Sequence, residues 1–185
     1  DSAGIALSTS TGSKLWVQKR AGKLGNLEGI LGDSVPDSHS GIGHTRWATH
    51  GGPTDTNAHP HLDNEGKLAL IHNGIIENYQ EIKSKLTKIG VKFLSQTDTE
   101  VLPHLIEQNF LVENDILRSL LKTADELQGT FAIATMFKNR DDVIAVAKRG
   151  SPIVIGIGDN ENYIASDFFG LADFTNKVIF LDDDE

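Results

Sequence analysis

The sequence predicts an α+β fold in which antiparallel strands and helices occupy separate parts of the chain. Short apolar runs typical of strands lie near both ends, and segments with helical periodicity lie between them. Hairpin-length connections join the later strands, which favours antiparallel pairing over a repeated strand–helix–strand unit. The length of 185 residues, with 38% hydrophobic residues, is that of one domain with its own core.

The first half of the chain is expected to begin with an antiparallel strand pair. Strands are predicted over 3–7 and 15–19, because a polar, glycine-containing connection separates these two apolar runs. Two further strands are predicted over 40–45 and 67–72. Between them runs a long segment, 47–66, rich in Gly, Thr, Pro, Asn and His. A connection of this length in a compact domain is usually functional or mobile, so this segment is a candidate site region.

Helical periodicity marks the middle of the chain. One helix is predicted over 77–89, with Gly90 directly after it in the position that often ends a helix. A second begins near Val101, with Asp98 as its acidic cap, and a third covers 116–127. The remaining predicted elements are a weaker helix over 25–31 and strands over 130–137, 143–149, 153–157, 163–165 and 178–181.

Composition excludes several functional classes. Lys and Arg total 17 against 26 Asp and Glu, a formal net charge of −9, so nucleic acid is not an expected partner. The sequence has no apolar stretch long enough to span a bilayer and no leader pattern at its start, so we expect no membrane partner and a cytoplasmic location. It contains no cysteine, which excludes disulfides, thiolate zinc sites and a cysteine nucleophile within these residues.

Six of the seven histidines fall within residues 39–72. A metal site is one interpretation, in which His59 and His61 would resemble the paired ligands of metal-dependent hydrolases. The other is that neutral histidines form hydrogen bonds around a pocket. Because no HExxH pattern and no adjacent acidic ligand accompany the pair, the spacing is weak evidence for a metal. We predict no metal site, and a metal-dependent hydrolase remains the alternative.

Three short motifs could together hold an amino acid. Arg46 ends a predicted strand and can bind a carboxylate through two parallel hydrogen bonds, with Trp47 as a lid. The Asn73 amide and the Gly74 backbone N–H can converge on one oxygen, as an oxyanion hole requires. Asp98 can receive an ammonium group. Each also has an ordinary explanation: an Arg stacked on Trp, an Asn-Gly turn and a helix cap. Together they describe a site for an amino acid whose side chain carries a carbonyl.

Four segments, in order along the chain, resemble the class II glutamine amidotransferase domain, an N-terminal-nucleophile hydrolase. They are GHTRWATHG at 43–51, NAHPH at 57–61, HNGIIEN at 72–78 and TDTEV at 97–101. Further segments are similar to the branch of this family that transfers the glutamine nitrogen to fructose 6-phosphate, in amino-sugar biosynthesis: DSAGI at 1–5, KRAGK at 19–23, RGSP at 149–152 and IASD at 164–167. The resemblance implies that residues 1–185 are one glutaminase domain.

The resemblance also implies a fold and a set of site residues. The fold is a four-layer αββα sandwich of two antiparallel sheets, with the active site at one end of the sheets. Asn73 and Gly74 would form the oxyanion hole, while His59 and His61 would order the loop of the site. The residues implied to bind L-glutamine are Arg46 for the α-carboxylate, Asp98 for the α-ammonium, Thr49 and His50 in the pocket wall, and Trp47 in the closing loop. Glutamine hydrolysis in this family needs no cofactor.

The family's nucleophile is an N-terminal cysteine whose own α-amino group acts as the base. It lies on a segment, with a strand and a helix, that the family carries ahead of the position matching Asp1. We therefore expect this chain to be an N-terminally incomplete domain whose full-length form continues into sugar-isomerase domains that bind fructose 6-phosphate and is a homodimer. Alternatives are the glutaminase half of amidophosphoribosyltransferase or glutamate synthase, and a noncatalytic glutamine-binding module.

Overall fold

In the described residues the structure has ten strands and four α-helices, and all of them except one short strand follow the order that the sequence pattern predicts. The computed structural model describes residues 1–10, 12–32, 35–47 and 51–185. The strands are β1 Ser2–Thr9, β2 Trp16–Ala21, β3 Ser38–Arg46, β4 His61–Leu62, β5 Leu68–Ile76, β6 Gly129–Phe137, β7 Arg140–Arg149, β8 Val154–Ile157, β9 Asn162–Ala165 and β10 Val178–Phe180. The helices are α1 Leu24–Leu31, α2 Tyr79–Lys88, α3 Val101–Glu113 and α4 Ile116–Glu126, and a short 3-10 turn covers Phe168–Gly170. No helix in the described ranges is both long and apolar enough to cross a bilayer.

The strands form three antiparallel sheets in two layers. The inner sheet has the order β4–β5–β6–β7, and β5 pairs with β6 along its whole length, from Leu68 opposite Phe137 to Ile76 opposite Gly129. The outer layer consists of a first outer sheet, β2–β1–β3, and a second outer sheet, β10–β8–β9. The antiparallel α+β prediction is therefore confirmed. Helix α1 contacts β1 and β2 of the first outer sheet.

The inner sheet is buried on both faces, because alternate residues of its strands point to opposite sides. On one face, side chains of β5 and β6 pack against α2, α3 and α4 in the larger core, which includes Leu70, Ile76, Leu102, Ile106, Leu120, Phe131 and Ile133. On the other face, Ala69 and Met136 pack against Ala6, Leu15 and Ile42 of the outer layer. Full burial of one such Leu, Ile or Phe side chain contributes roughly 1.5–3 kcal/mol to stability, so these two cores fix the inner sheet between its neighbours.

A groove separates the two outer sheets. The outer edges of β3 and β9 face each other across it, and Ile71 and Ala134 of the inner sheet form its floor. Two cavities of about 270 Å³ and about 330 Å³ share these lining residues. Within the described part of the chain, neither edge pairs with another strand. We call this feature the β3–β9 groove; it divides the outer layer that the resemblance implied to be a single sheet.

Two local predictions are wrong. The residue at the start of α3 is Glu100, which makes no side-chain cap, whereas Asp98 accepts a hydrogen bond from the backbone N–H of Ile76 at 2.9 Å. The strand predicted over 67–72 continues as β5 to Ile76, so Asn73 and Gly74 are not in a turn. In both cases a contact with a distant strand overrides the local preference of the residue.

Candidate functional site

Asn73 lies on β5, at the floor of the β3–β9 groove. It lines the cavity of about 270 Å³ together with His44 of β3 and His72, its neighbour on β5. The Asn73 side chain is exposed, and its Oδ1 lies 2.9 Å from Nε2 of His44. The predicted oxyanion donor therefore faces open space while a histidine holds its other end.

The backbone conformation and the close packing at position 74 require a glycine. Its φ is 128°, and a Cβ added there would lie 2.1 Å from the carbonyl oxygen of Thr130 on β6. No L side chain fits such a contact against the main chain of a paired strand. Gly74 is also exposed, so a ligand can approach its backbone closely beside the Asn73 amide.

Arg46 and Asp98 bring opposite charges to the same end of the sheets. Both are buried, with exposed fractions of 6% and 4%. Two guanidinium nitrogens of Arg46, Nη1 and Nη2, donate to the carbonyl oxygen of Gly51 at 3.4 and 3.3 Å. Burial lowers the pKa of Arg46, and the nearby negative charge of Asp98 acts in the opposite direction. Because Asp98 is bound to the Ile76 N–H, its carboxylate stays two residues from Gly74 along β5.

Trp47 does not cover this region in the structure. Its side chain is 87% exposed and lines a cavity of about 320 Å³ that is distinct from the Asn73 cavity and whose other walls include Arg46, Asp1 and Lys23. Its closing role thus stays a prediction. Thr49 and His50, the other two residues implied to line the pocket, lie outside the described residues.

A buried hydroxyl joins two of the clustered histidines. Oγ1 of Thr99, whose side chain is 1% exposed, lies 3.1 Å from Nε2 of His59 and 2.9 Å from Nδ1 of His72. Burial lowers the pKa of His59 well below its usual range. Burial also lowers the pKa of His72 to about 4, although the charge of Asp98 opposes the shift. Both rings are therefore neutral near pH 7. Sequence reasoning missed Thr99, whose partners lie 40 and 27 residues away.

His61 follows the same pattern. Its Nε2 lies 3.1 Å from Oγ1 of Thr97, and burial lowers its pKa well below the usual range. The His59 ring packs against His44 and His61, with centroid distances of 4.3 and 4.9 Å. In the ranges that the structure describes, no group of three or more His, Cys, Asp or Glu side chains is placed to hold a metal. The contacts are those of neutral histidines that form hydrogen bonds around a pocket.

The loop that carries His59 and His61 is held from both sides. Nζ of Lys19 on β2 donates to the carbonyl oxygens of Ala58 at 2.7 Å and Pro60 at 3.1 Å. Burial lowers the pKa of Lys19 to about 8. On the other side, Oδ1 of Asn57 accepts from the Gln96 backbone N–H at 3.0 Å. Sequence reasoning did not single out Lys19 or Asn57, although both lie in segments that carried the resemblance.

These features define what the site can do chemically. A buried cation and a buried anion can bind the two charged groups of an α-amino acid. Two donors beside each other, the Asn73 amide and the Gly74 backbone, can stabilise negative charge on a substrate oxygen. The sequence contains no thiol, so this arrangement offers charged binding groups and hydrogen-bond donors but no thiol nucleophile of its own.

Comparisons with known proteins find glutamine amidotransferases. A family profile described as "Glutamine amidotransferase domain" matches residues 44–172. The glutamine–fructose-6-phosphate aminotransferase (isomerizing) of Aquifex aeolicus is 49% identical over 185 residues, which are 100% of this chain and 31% of that protein. The enzyme of the same name from Thermococcus kodakarensis is 47% identical over 185 residues, 100% of this chain and 30% of that protein.

Solved structures are similar over nearly the whole chain. The glutamine phosphoribosylpyrophosphate amidotransferase of B. subtilis has a TM-score of 0.74 at 27% identity and covers 97% of this chain and 38% of its own. A structure described as the allosteric regulatory enzyme of purine biosynthesis has a TM-score of 0.77 at 28% identity and covers 98% and 38%.

The match extends over the site as well as the fold. Residues 44–172 make up more than half of the chain and include His44, Asn73, Gly74 and Asp98. The chain spans about 30% of the length of the curated relatives it matches. On the family match, the fold and the site geometry together, the chain belongs to the glutamine amidotransferase domain family.

Proposed function

We propose that this chain is the glutaminase domain of an aminotransferase that hydrolyses L-glutamine and transfers the ammonia to fructose 6-phosphate, giving glucosamine 6-phosphate. The observation that carries the proposal is the exposed Asn73 at the groove floor, with the exposed Gly74 next to it on β5. It occurs in a chain 49% identical along its whole length to a glutamine–fructose-6-phosphate aminotransferase. In this proposal the domain works with sugar-isomerase domains of the same polypeptide, as a homodimer in the cytoplasm.

Charge complementarity supports glutamine as the substrate. The carboxylate of the amino acid binds Arg46 and its ammonium binds Asp98, both of which are buried. Thr49 and His50 contribute to the pocket wall in this proposal, and Trp47 closes over bound glutamine. The side-chain amide of glutamine then extends along β5 towards Asn73, because Asp98 is held beside that strand.

The β3–β9 groove supports delivery of the nucleophile on an extended segment. Strands pair at a spacing of about 4.7–4.9 Å, so a strand between two open edges can form backbone hydrogen bonds on both sides. Such a strand would pass over Ile71 and Ala134 and reach Asn73 at the end of the groove. We propose that a segment ahead of Asp1 carries the cysteine nucleophile and occupies this groove.

The reaction follows from these positions. The cysteine thiolate attacks the side-chain amide carbon of glutamine, a C–S bond forms, and the carbonyl oxygen becomes an oxyanion that accepts from Asn73 Nδ2 and the Gly74 N–H. The C–N bond then breaks, and the nitrogen leaves as ammonia after it takes the proton that the cysteine α-amino group had accepted from the thiol. Water adds to the thioester in a second oxyanion intermediate, and glutamate is released with the thiol restored.

The test is steady-state kinetics of the full-length enzyme, with glutamate and glucosamine 6-phosphate as products. Asn73→Ala should lower kcat by about 10²–10³ with little change in KM, because the oxyanion exists only after attack. Asp98→Asn should mainly raise KM for glutamine, because the variant removes the partner of the ammonium. Asn139→Ala, in the exposed turn between β6 and β7, is the matched control and should leave both constants unchanged.

The same assay separates the alternatives. Near-normal kcat in Asn73→Ala would contradict the oxyanion role, and unchanged KM in Asp98→Asn would contradict the ammonium role. Glutamine binding without any release of glutamate would indicate a noncatalytic module. Ammonia transfer to phosphoribosyl pyrophosphate instead of fructose 6-phosphate would indicate the second candidate, which the similarity to phosphoribosylpyrophosphate amidotransferase favours.

A further inference from the structure

His44 contacts the group proposed to bind the oxyanion. Its Nε2 lies 2.9 Å from Oδ1 of Asn73, across the gap between β3 and β5. Among the described residues, the Asn73 side chain has no other hydrogen-bond partner. The acceptor end of this amide is therefore held by His44, and its donor end, Nδ2, remains available to a ligand.

The two ends of an asparagine amide have opposite hydrogen-bonding roles, so the partner of one end decides which faces a ligand. When Nε2 of His44 carries the ring proton, it donates to Oδ1 and leaves Nδ2 to donate elsewhere. When Nδ1 carries the proton, Nε2 becomes an acceptor and the amide must turn over to donate to it. The carbonyl oxygen of Asn73 would then face the developing oxyanion and repel it.

The surroundings of His44 favour the first arrangement. Its Nδ1 is buried without a hydrogen-bond partner, and its ring packs on His59 at a centroid distance of 4.3 Å. A proton on Nδ1 would be a buried donor without an acceptor, whereas a proton on Nε2 is satisfied by Asn73. Burial lowers the pKa of His44, as does the charge of Arg46, whereas the hydrogen bond to Asn73 and a contact with the backbone of His72 oppose the shift. A neutral ring with its proton on Nε2 therefore satisfies more of these groups than one with its proton on Nδ1.

We propose that His44 is a positioning residue that orients the Asn73 amide, so that Nδ2 points at the oxyanion of the acyl-transfer reaction. This inference rests on the proposed glutaminase function. His44 touches no reacting atom: it acts through Asn73, and its contribution is made before the substrate arrives. Removing it frees the amide to rotate, so that each turnover must select the productive orientation.

The test is a double-mutant cycle in the full-length enzyme, with glutamine hydrolysis as the readout. His44→Phe keeps a ring against His59 and removes the donor, and it should lower kcat about five- to tenfold, the size of one neutral hydrogen bond. KM for glutamine should not change, because the oxyanion forms only after binding. In an Asn73→Ala background the same substitution should change kcat by less than about twofold, since two residues that act through one contact are not additive.

Two further variants complete the design. His44→Gln restores an N–H donor near the position of Nε2 and should recover kcat to within about twofold of the wild type. His39→Phe is the matched control, because His39 lies on the same strand with an exposed side chain, and its kcat should be unchanged. If His44→Phe does not fold, the cycle is measured with His44→Gln and His44→Ala. We then expect His44→Ala to lose more kcat than His44→Gln in the wild-type background, and the two variants to have equal kcat in the Asn73→Ala background.

The outcomes separate this inference from the proposed function. A wild-type enzyme that does not hydrolyse glutamine, or an Asn73→Ala variant with normal kcat, would refute the function itself. If Asn73→Ala is impaired and His44→Phe is not, the orienting role is wrong. An equal loss from His44→Phe with and without Asn73 would also overturn it, because the histidine would then act independently of the amide.

Discussion

Removing the hydroxyl of Thr99 should loosen β5 and the start of α3. Thr99→Val keeps the shape of the side chain and deletes both hydrogen bonds to His59 and His72, which are 3.1 and 2.9 Å long. Each such bond contributes about 0.5–1.5 kcal/mol, and a buried ring nitrogen left without a partner lowers stability by about 1–3 kcal/mol. The lost hydrogen bonds and the unpaired ring nitrogens involve the same atoms, so the two contributions overlap and are not simply added. We expect a total loss of about 2–4 kcal/mol in the free energy of unfolding.

Hydrogen exchange read by mass spectrometry measures this loss where it occurs. Protection of the β5 peptide, residues 68–76, should fall roughly 30- to 700-fold, since each 1.4 kcal/mol is a factor of ten. Thr99→Ser keeps the hydroxyl and is the matched control, with an expected loss below about 1 kcal/mol. A change below about 1 kcal/mol in Thr99→Val would refute the reasoning, as would an equally large loss in Thr99→Ser.

Three further predictions follow from the geometry of the same region. Gly74→Ala should lower kcat by about 10²–10³ and lower stability by about 3 kcal/mol, because the added Cβ lies 2.1 Å from the Thr130 carbonyl oxygen; normal kinetics would contradict this. The free energy of unfolding should fall as the pH falls from 6.5 towards 4, because the unfolded chain binds a proton at His72 that the folded chain, with a pKa of about 4, does not; a flat profile in urea titrations at several pH values would exclude it. Lys19→Met should lower stability by about 2–4 kcal/mol in the same titration, because it removes the charged hydrogen bonds to the carbonyl oxygens of Ala58 and Pro60. Arg20→Met is the control: Arg20 forms a half-exposed ion pair, so its loss should lower stability by less than about 1 kcal/mol.

Local patterns were sufficient to predict the helices and the longer strands of the fold. The apolar residues of α4 recur at helical spacing, and the structure has that helix at Ile116–Glu126. Gly90 follows the end of α2 with a φ of 95°, as a residue at that position should. The two-residue strand β4, His61–Leu62, escaped prediction because it lacks a periodic pattern and exists only through its pairing with β5.

Candidate site residues could be named from the sequence, but their contacts could not. Asn73, Gly74, Arg46 and Asp98 were named from short motifs, yet the bond from the Ile76 N–H to Asp98 joins residues 22 apart, so local reasoning assigned a cap instead. The contact between His44 and Asn73 joins residues 29 apart on two sheets. Such contacts depend on how sheets stack, which no local pattern in one sequence reports.

The β3–β9 groove has a consequence for how the protein behaves in solution. An open strand edge is a template for pairing with another chain, and proteins usually guard such edges with lysine, proline or other charged residues. Neither β3, SHSGIGHTR, nor β9, NYIA, has a Lys, Pro, Asp or Glu, and the single Arg of β3 is buried at its end. Both strand edges therefore lack the residues that usually prevent pairing with another strand. If a strand occupies the groove, as we propose, it would also protect the domain from self-association.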